Sequence, residues 1–392
     1  MIHDVLVVGA GPAGSVAAGH LARQGHSVLI LEDHRCIGMP MQCGGLISPR
    51  LRELVEFPVD VLNSVRGANV HAPSGTVLQL SSTTEKAIVI DRTRFDSDAA
   101  SWAIEQGADI RLGSRVTSIR FDDQGVRAST SNDSEYRSKL IIGADGPGSI
   151  TARSAGLPPI PHFVSGYEIE AIGSPMDPDM VEVYTGKRMG EGFFSWVIPS
   201  GADRIRIGAG VHRSSQSARD ALRHLMTRSD RATRFSNVQP ISLHGGAIPI
   251  GMRERMFSDR MMVIGDAAGL AKPVSGGGVI TGIISAKFAA KTADACLSNE
   301  SFSAAHTAGY QKELVGDIGK ELKRAWKLRR AFMHLEDIEL DRLFKRLLKP
   351  EVLGLINTKG DIDYPGRMAL ELIRASPGLL RYGLRYLGAN FR

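Results

Sequence analysis

Three apolar patterns succeed one another along the chain. Val5-Leu6-Val7-Val8 is a short unbroken apolar run, as a parallel strand buried on both faces requires. A glycine turn, a helix and a second strand ending at Glu32 follow it. Ile88–Asp96 leads into another helix, and Val116 falls on a strand that returns to the first unit. Lys139–Gly143 and Met261–Ile264 are further strands, the latter followed by a long helix to about residue 297. Between them the pattern changes. Short strands surround the turn Pro73-Ser74-Gly75, and strands at 163–172, 180–186, 193–199 and 204–211 are interrupted by one helix near 216–228, predicting an antiparallel sheet. From residue 301 the helical period dominates. The expected fold is therefore α/β in an α+β arrangement. A discontinuous nucleotide-type domain takes 1–69, 91–160 and 256–300, a sheet domain takes 70–90 and 161–255, and a helical region takes 301–392. Internal repeats and low-complexity segments are not evident.

Within the first unit each residue type has a separate task. Gly9 allows the tight turn, Gly11 lets backbone approach a pyrophosphate, and Gly14, after Ala13, lets the helix lie close to the sheet. The amides and dipole at that helix start favour a negatively charged phosphate. Glu32, eighteen residues past Gly14, stands where a carboxylate accepts from ribose hydroxyls. This predicts dinucleotide binding without saying which dinucleotide.

Composition narrows the setting. A chain of 392 residues suggests two or three domains. Its three cysteines, Cys36, Cys43 and Cys296, lack the paired spacing of a disulfide scaffold or a zinc site. The start runs directly into a strand, leaving no room for a signal peptide, and no apolar stretch approaches the ~18 residues of a spanning helix. A soluble or peripheral chain is expected. A net charge of +6 suits phosphate-bearing substrates or an anionic membrane, though such charge is often only a solvated surface. No nucleic-acid module, metal-ligand cluster, Ser-His-Asp arrangement or second dinucleotide fingerprint is evident.

Two further segments carry a resemblance. Lys139–Gly146 ends in the turn Asp145-Gly146 and is followed by Ser149 and Arg153. Met261–Gly269 contains Gly265-Asp266 and is followed by Pro273 and Gly276-Gly277-Gly278. Together with the first motif, these resemble flavoproteins that include aromatic hydroxylases and geranylgeranyl reductases. The resemblance implies FAD on a Rossmann-like domain of the aromatic-hydroxylase type, its ADP half on Gly9, Gly11, Ala13, Gly14 and Glu32. It places Asp266 on the ribityl chain, an alternative being a helix N-cap, and sets Gly276, Gly278 and Val279 against the flavin ring. Arg92, Val116 and Asp145 complete the expected cofactor contacts. Cys43-Gly44-Gly45-Leu46 resembles the Cys-Gly loop by which prenyl reductases approach the flavin, adding Cys43, Gly44 and Leu46.

The segment Gly192-Phe193-Phe194-Ser195-Trp196-Val197-Ile198-Pro199, with Gly208-Ala209-Gly210 eight residues on, is similar to the reductases' YxWxFP…GxG signature. Phe194 replaces its Tyr and Ile198 its Phe, so the Tyr hydroxyl is missing. Gly245–Pro249 and Gly360-Asp361-Ile362-Asp363 also resemble the archaeal ether-lipid branch of this family. That resemblance implies reduction of isoprenoid double bonds in geranylgeranyl ether phospholipids, with hydride from flavin N5. Phe194, Trp196 and Pro199 would meet the substrate, although such apolar residues also make ordinary sheet core. Cys43 is the candidate chemical group, as proton source or flavin-contacting thiol, or simply a small residue under the ring. A monooxygenase, which need not have the Cys-Gly loop, and a membrane-docked electron carrier remain the alternatives. The electron donor is left open among reduced ferredoxin, NAD(P)H and other soluble carriers.

Lys320, Lys323, Arg324, Lys327, Arg329 and Arg330, opposed only by Glu321, share a helical stretch with Ile318, Leu322, Trp326 and Met333. Such a basic amphipathic helix either lies on an anionic membrane, with Lys320 on a lipid phosphate, or packs on the body by its apolar stripe. Leu379, Leu380, Tyr382, Leu384 and Leu387, with Arg381 and Arg385, form a second cluster with the same two options. The expected location is cytoplasmic, peripheral on the inner face of the membrane.

Overall fold

The computed structural model describes residues 2–227, 231–380 and 382. Ile2–Val8 lies inside an eight-stranded sheet, parallel to Glu135–Gly143 on one side and Val28–Leu31 on the other. Asp109–Arg111 and Met261–Val263 extend it in parallel, and the hairpin Val116–Asp122/Gly125–Thr130 pairs antiparallel onto Glu135–Gly143. Val5, Leu6 and Val7 have no exposed surface, as the unbroken apolar run requires, because helices Pro12–Arg23, Arg92–Glu105 and Val279–Ser298 pack on this sheet. Asp91 starts the second of these helices by accepting from the amides of Thr93 and Arg94.

A seven-stranded sheet runs Gln239–Ile250, His162–Ile172, Arg204–Val211, Ser195–Pro199, Met180–Tyr184, Gly67–His71, Val77–Ser81. It is antiparallel except where Met180–Tyr184 pairs parallel with Gly67–His71. Those two strands belong to separate excursions of the chain, so no hairpin dictates their direction. Strand periodicity assigns its two faces. Ile169, Ile207, Ala209 and Val211 pack under helix Ala218–Thr227, while Glu168, Arg206, Gly208 and Trp196 share the other face. Leu46–Ile47, Ala87–Ile90 and Val61–Val65 form a small sheet of their own, interleaved in sequence with the strands of the seven-stranded sheet.

The C-terminal helices fold back onto both sheets. Ile318 and Leu322 join the core of the nucleotide-type domain, and Trp326 stacks on His162 with ring centroids 4.5 Å apart. Glu321 is buried beneath helix Pro365–Ala375, accepting from the amides of Gly366 and Arg367. Of the last apolar cluster, Leu379 and Tyr382 pack with Leu335, Leu340 and Leu343. Arg381, Leu384, Arg385 and Leu387 lie outside the described residues. No helix among the described residues is long and apolar enough to cross a membrane.

Candidate functional site

One cavity of about 1440 Å³ runs from the first glycine turn, between the two sheets, to the C-terminal helices. Its polar end is built by close backbone approaches. A methyl at Gly14 would sit 2.0 Å from the Gly9 carbonyl oxygen, so only glycine lets the helix start this near the turn. Gly11 differs: a methyl there would meet nothing within 4 Å, and the residue borders the cavity. Glu32 is buried, and its carboxylate accepts from the Ala10 amide at 2.7 Å and the His34 amide at 2.9 Å. Ala13 and Val279 border the same space, as do Leu46 and Val116.

Asp145 lines the cavity too, yet its carboxylate is occupied by Ser149 Oγ at 2.6 Å and by the amide and hydroxyl of Thr151. It orders the turn into helix Ile150–Ser154. Asp266 occupies the short turn Gly265–Ala268, whose N-cap is Ile264, so the N-cap alternative does not hold. Burial pushes its carboxyl up to about 6, against the favourable charge of Arg92. A methyl on Gly278 would lie 2.8 Å from Asp266 Oδ1, which places the carboxyl beside the start of helix Val279–Ser298.

Arg92 binds Asp96 through Nε and Nη2 at 3.0 and 2.9 Å. Burial opposes its charge, but Asp96 and the neighbouring Cys43 outweigh it and hold the guanidinium above its ordinary range. Cys43 Sγ also receives the Gly45 amide at 3.4 Å. The Gly44 carbonyl accepts from Arg206 Nη1 at 3.0 Å, which fixes the Cys-Gly loop over the second sheet. Opposite, Gly276 packs on Phe193 and Ile248. The two glycine loops thus lie against the polar face of that sheet.

The other end of the cavity is apolar. Phe193 and Phe194 stack at 4.1 Å, with Trp196 edge-on to both. The facing wall comes from Leu328, Phe332, Leu343, Phe344, Met368 and Leu372 of the C-terminal helices. Pro199 is not brought to this cavity. It borders a small separate cleft instead, because Trp196 and Ile198 take the cavity face and the next residue in a strand points away. Lys320 is exposed and does not line the cavity; its helix reaches the lining only from Leu328 onward.

Three contacts escaped the sequence reading. Arg329 is buried rather than surface-facing: it donates to the carbonyls of Pro273 at 3.1 Å and Gly192 at 2.8 Å, and lies 5.1 Å from the Phe193 ring. Burial lowers its pKa to about 10. Lys272, ahead of the Gly276–Gly278 run, pairs with Asp363 at 2.8 Å, so the Gly360–Asp363 segment is tied to the glycine loop. Glu168 is buried beside Trp196. A glutamate at an inward strand position was its only sequence signal.

These donors fit the expected cofactor. The space beside Gly11 is open and no side chain caps the start of helix Pro12–Arg23, and the desolvated Asp266 carboxyl gains from donors such as sugar hydroxyls. Fold and cavity together define an FAD-binding protein, and a family model described as an FAD binding domain matches residues 3–301. The chain is 33% identical to digeranylgeranylglycerophospholipid reductase 2 of Methanothermobacter thermautotrophicus, covering 88% of this chain and 92% of that one. It is 31% identical to reductase 1 of the same organism, covering 97% of each. A geranylgeranyl bacteriochlorophyll reductase-like structure from Thermoplasma acidophilum superposes with a TM-score of 0.86 at 25% identity, covering 97% of this chain and 98% of that one. The chain belongs to the digeranylgeranylglycerophospholipid reductase family.

Proposed function

We propose that this protein uses FAD to saturate the isolated double bonds of geranylgeranyl chains on a glycerophospholipid. The observation that carries the reading is the continuity of one cavity from the dinucleotide turn to an apolar channel walled by the C-terminal helices. A prenyl chain gains about 0.8 kcal/mol for each methylene taken from water, so an enclosed apolar wall is what such a substrate needs. Reduced FAD supplies a hydride when bound.

The chain's own residues do the rest. Gly9, Gly11, Ala13, Gly14 and Glu32 hold the adenosine and pyrophosphate end. Arg92, Val116, Asp266, Gly276, Gly278 and Val279 line the middle, with Cys43, Gly44 and Leu46 on the opposite loop. Asp145 acts by ordering its turn. Phe194 and Trp196 orient the alkene and exclude water, which matters because an unactivated double bond reacts only when held within ~3–3.5 Å. In this reading the cofactor domain is 1–69, 91–160 and 256–300, the sheet domain 70–90 and 161–255, and residues 301–392 complete the substrate channel. Lys320, Lys323, Arg324 and Lys327 are exposed and suit peripheral docking on the anionic inner face of the membrane, in the cytoplasm. A soluble carrier, such as reduced ferredoxin or NAD(P)H, would supply electrons.

Anaerobic addition of a digeranylgeranyl glycerophospholipid to the dithionite-reduced protein tests this. Return of the oxidised flavin spectrum supports the reading. A spectrum unchanged by lipid, with reoxidation only on admitting air, refutes it.

A further inference from the structure

Saturating an alkene needs a proton as well as a hydride, and the acid must stand in the water-excluded part of the cavity. Glu168 lies on the cavity face of strand His162–Ile172 and is 5% exposed. Its Oε2 accepts from Trp196 Nε1 at 2.6 Å, while Oε1 is buried and meets no donor among the described residues. The seat is specific. Gly208 is the register partner of both Glu168 and Trp196, and a methyl on it would fall 2.3 Å from the indole. Only a missing side chain at Gly208 lets the indole cross that strand to reach the carboxyl.

The same carboxyl faces the Cys-Gly loop. A methyl on Gly44 would lie 2.8 Å from Glu168 Oε2, and Arg206 holds that loop through the carbonyls of Gly44 and Ile90. The charged and titratable neighbours are Glu170 on its own strand, Arg206 on the next and His244, its register partner, on the edge strand. Arg206 and Glu170 lie 3.6 Å apart. Burial dominates and pushes the Glu168 carboxyl up to about 7, although Trp196 and Arg206 pull it down. An acid poised there is about half protonated at neutral pH, so it can give its proton up and be reprotonated.

We propose that Glu168 is the acid that protonates the substrate alkene, aimed by Trp196 across the gap left by Gly208. The proposal rests on the reductase reading. In the step, the Glu168 O–H breaks and a C–H bond forms at one alkene carbon; FAD, when bound and reduced, would supply the hydride for the second C–H bond at the other. The two electrons the alkene gains would come with that hydride, and the carboxylate recovers its proton from water. Cys43 does not need to be the acid; its sulfur accepts from the Gly45 amide.

The test is anaerobic stopped-flow reoxidation of the reduced holoprotein by a digeranylgeranyl glycerophospholipid, from about pH 5 to 9. The wild-type rate should fall above about pH 7. Glu168→Gln should be slower by about 10²–10⁴-fold and lose that pH dependence, with FAD content and reduction potential unchanged. Glu168→Asp should keep the pH dependence at a reduced rate. Infrared titration should show a protonated-carboxyl band lost near pH 7 in the wild type and absent from Glu168→Gln. A Glu168→Gln protein with the wild-type rate and pH profile would overturn the assignment alone. A wild type that lipid cannot reoxidise would overturn the reductase reading and the assignment with it.

Discussion

Gly11→Ala separates holding the cofactor from holding the fold. Gly11 is the N-cap of helix Pro12–Arg23 with φ −67° and ψ 176°, extended backbone that alanine adopts without strain. Its added methyl touches nothing within 4 Å. The cofactor-free variant should therefore fold with a stability loss of about 1 kcal/mol or less, the scale of an N-cap change. With FAD bound as proposed, the same methyl would occupy space that its pyrophosphate needs. Overpacking of a filled site costs about 1–3 kcal/mol, which weakens binding by about 5- to 150-fold. Gly14→Ala is the contrast: its methyl would lie 2.0 Å from the Gly9 carbonyl oxygen, so fold and FAD should be lost together. Thermal denaturation of the cofactor-free proteins and fluorescence titration with FAD measure both quantities. A folded Gly11→Ala protein that binds FAD like the wild type would refute the placement of the pyrophosphate.

Three other outcomes are expected. Gly208→Ala should expel the Trp196 indole and break its bond to Glu168, lowering stability by about 1–3 kcal/mol and shifting tryptophan fluorescence; an unchanged emission spectrum would contradict it. The raised Glu168 carboxyl keeps a proton that the unfolded chain gives up above its ordinary value of 4.5, so its contribution falls as pH rises from there to about 7. Relative to Glu168→Gln, the wild type should lose roughly 3 kcal/mol across that window in urea denaturation, and parallel pH curves would refute the burial argument. Asp363→Ala leaves Lys272 buried without its partner and should loosen the tail from the glycine loop, read as faster proteolysis within 360–375; unchanged cleavage would speak against that anchor.

The cofactor half was legible because its constraints are local. An apolar run, three glycines and an acid at the right distance specify a strand, a turn and a helix within about thirty residues, and Gly9–Gly14 and Glu32 are grouped as that pattern requires. The substrate half depends on contacts between distant segments. The apolar stripe of helix Lys320–Met333 was visible, but whether it would meet membrane or protein was not; Ile318 and Leu322 settle into the main core, and Arg329 turns inward because two loop carbonyls await it. Pro199 illustrates the cost of reading a motif as a block, since strand alternation sends it to the face opposite Trp196. Glu168 carried only a weak sequence signal for a related reason. Its environment is made by Trp196 and Gly44, neither close to it in sequence, and no local pattern distinguishes it from Glu170.

In the proposed function this cavity joins reduced flavin to a prenyl chain. Mass spectrometry of a digeranylgeranyl glycerophospholipid after anaerobic incubation with the reduced protein tests it most directly. A gain of two hydrogen masses for each double bond consumed is expected. A lipid of unchanged mass, with oxygen uptake once air and a donor are supplied, would contradict it and identify an oxygen-reducing flavoprotein instead.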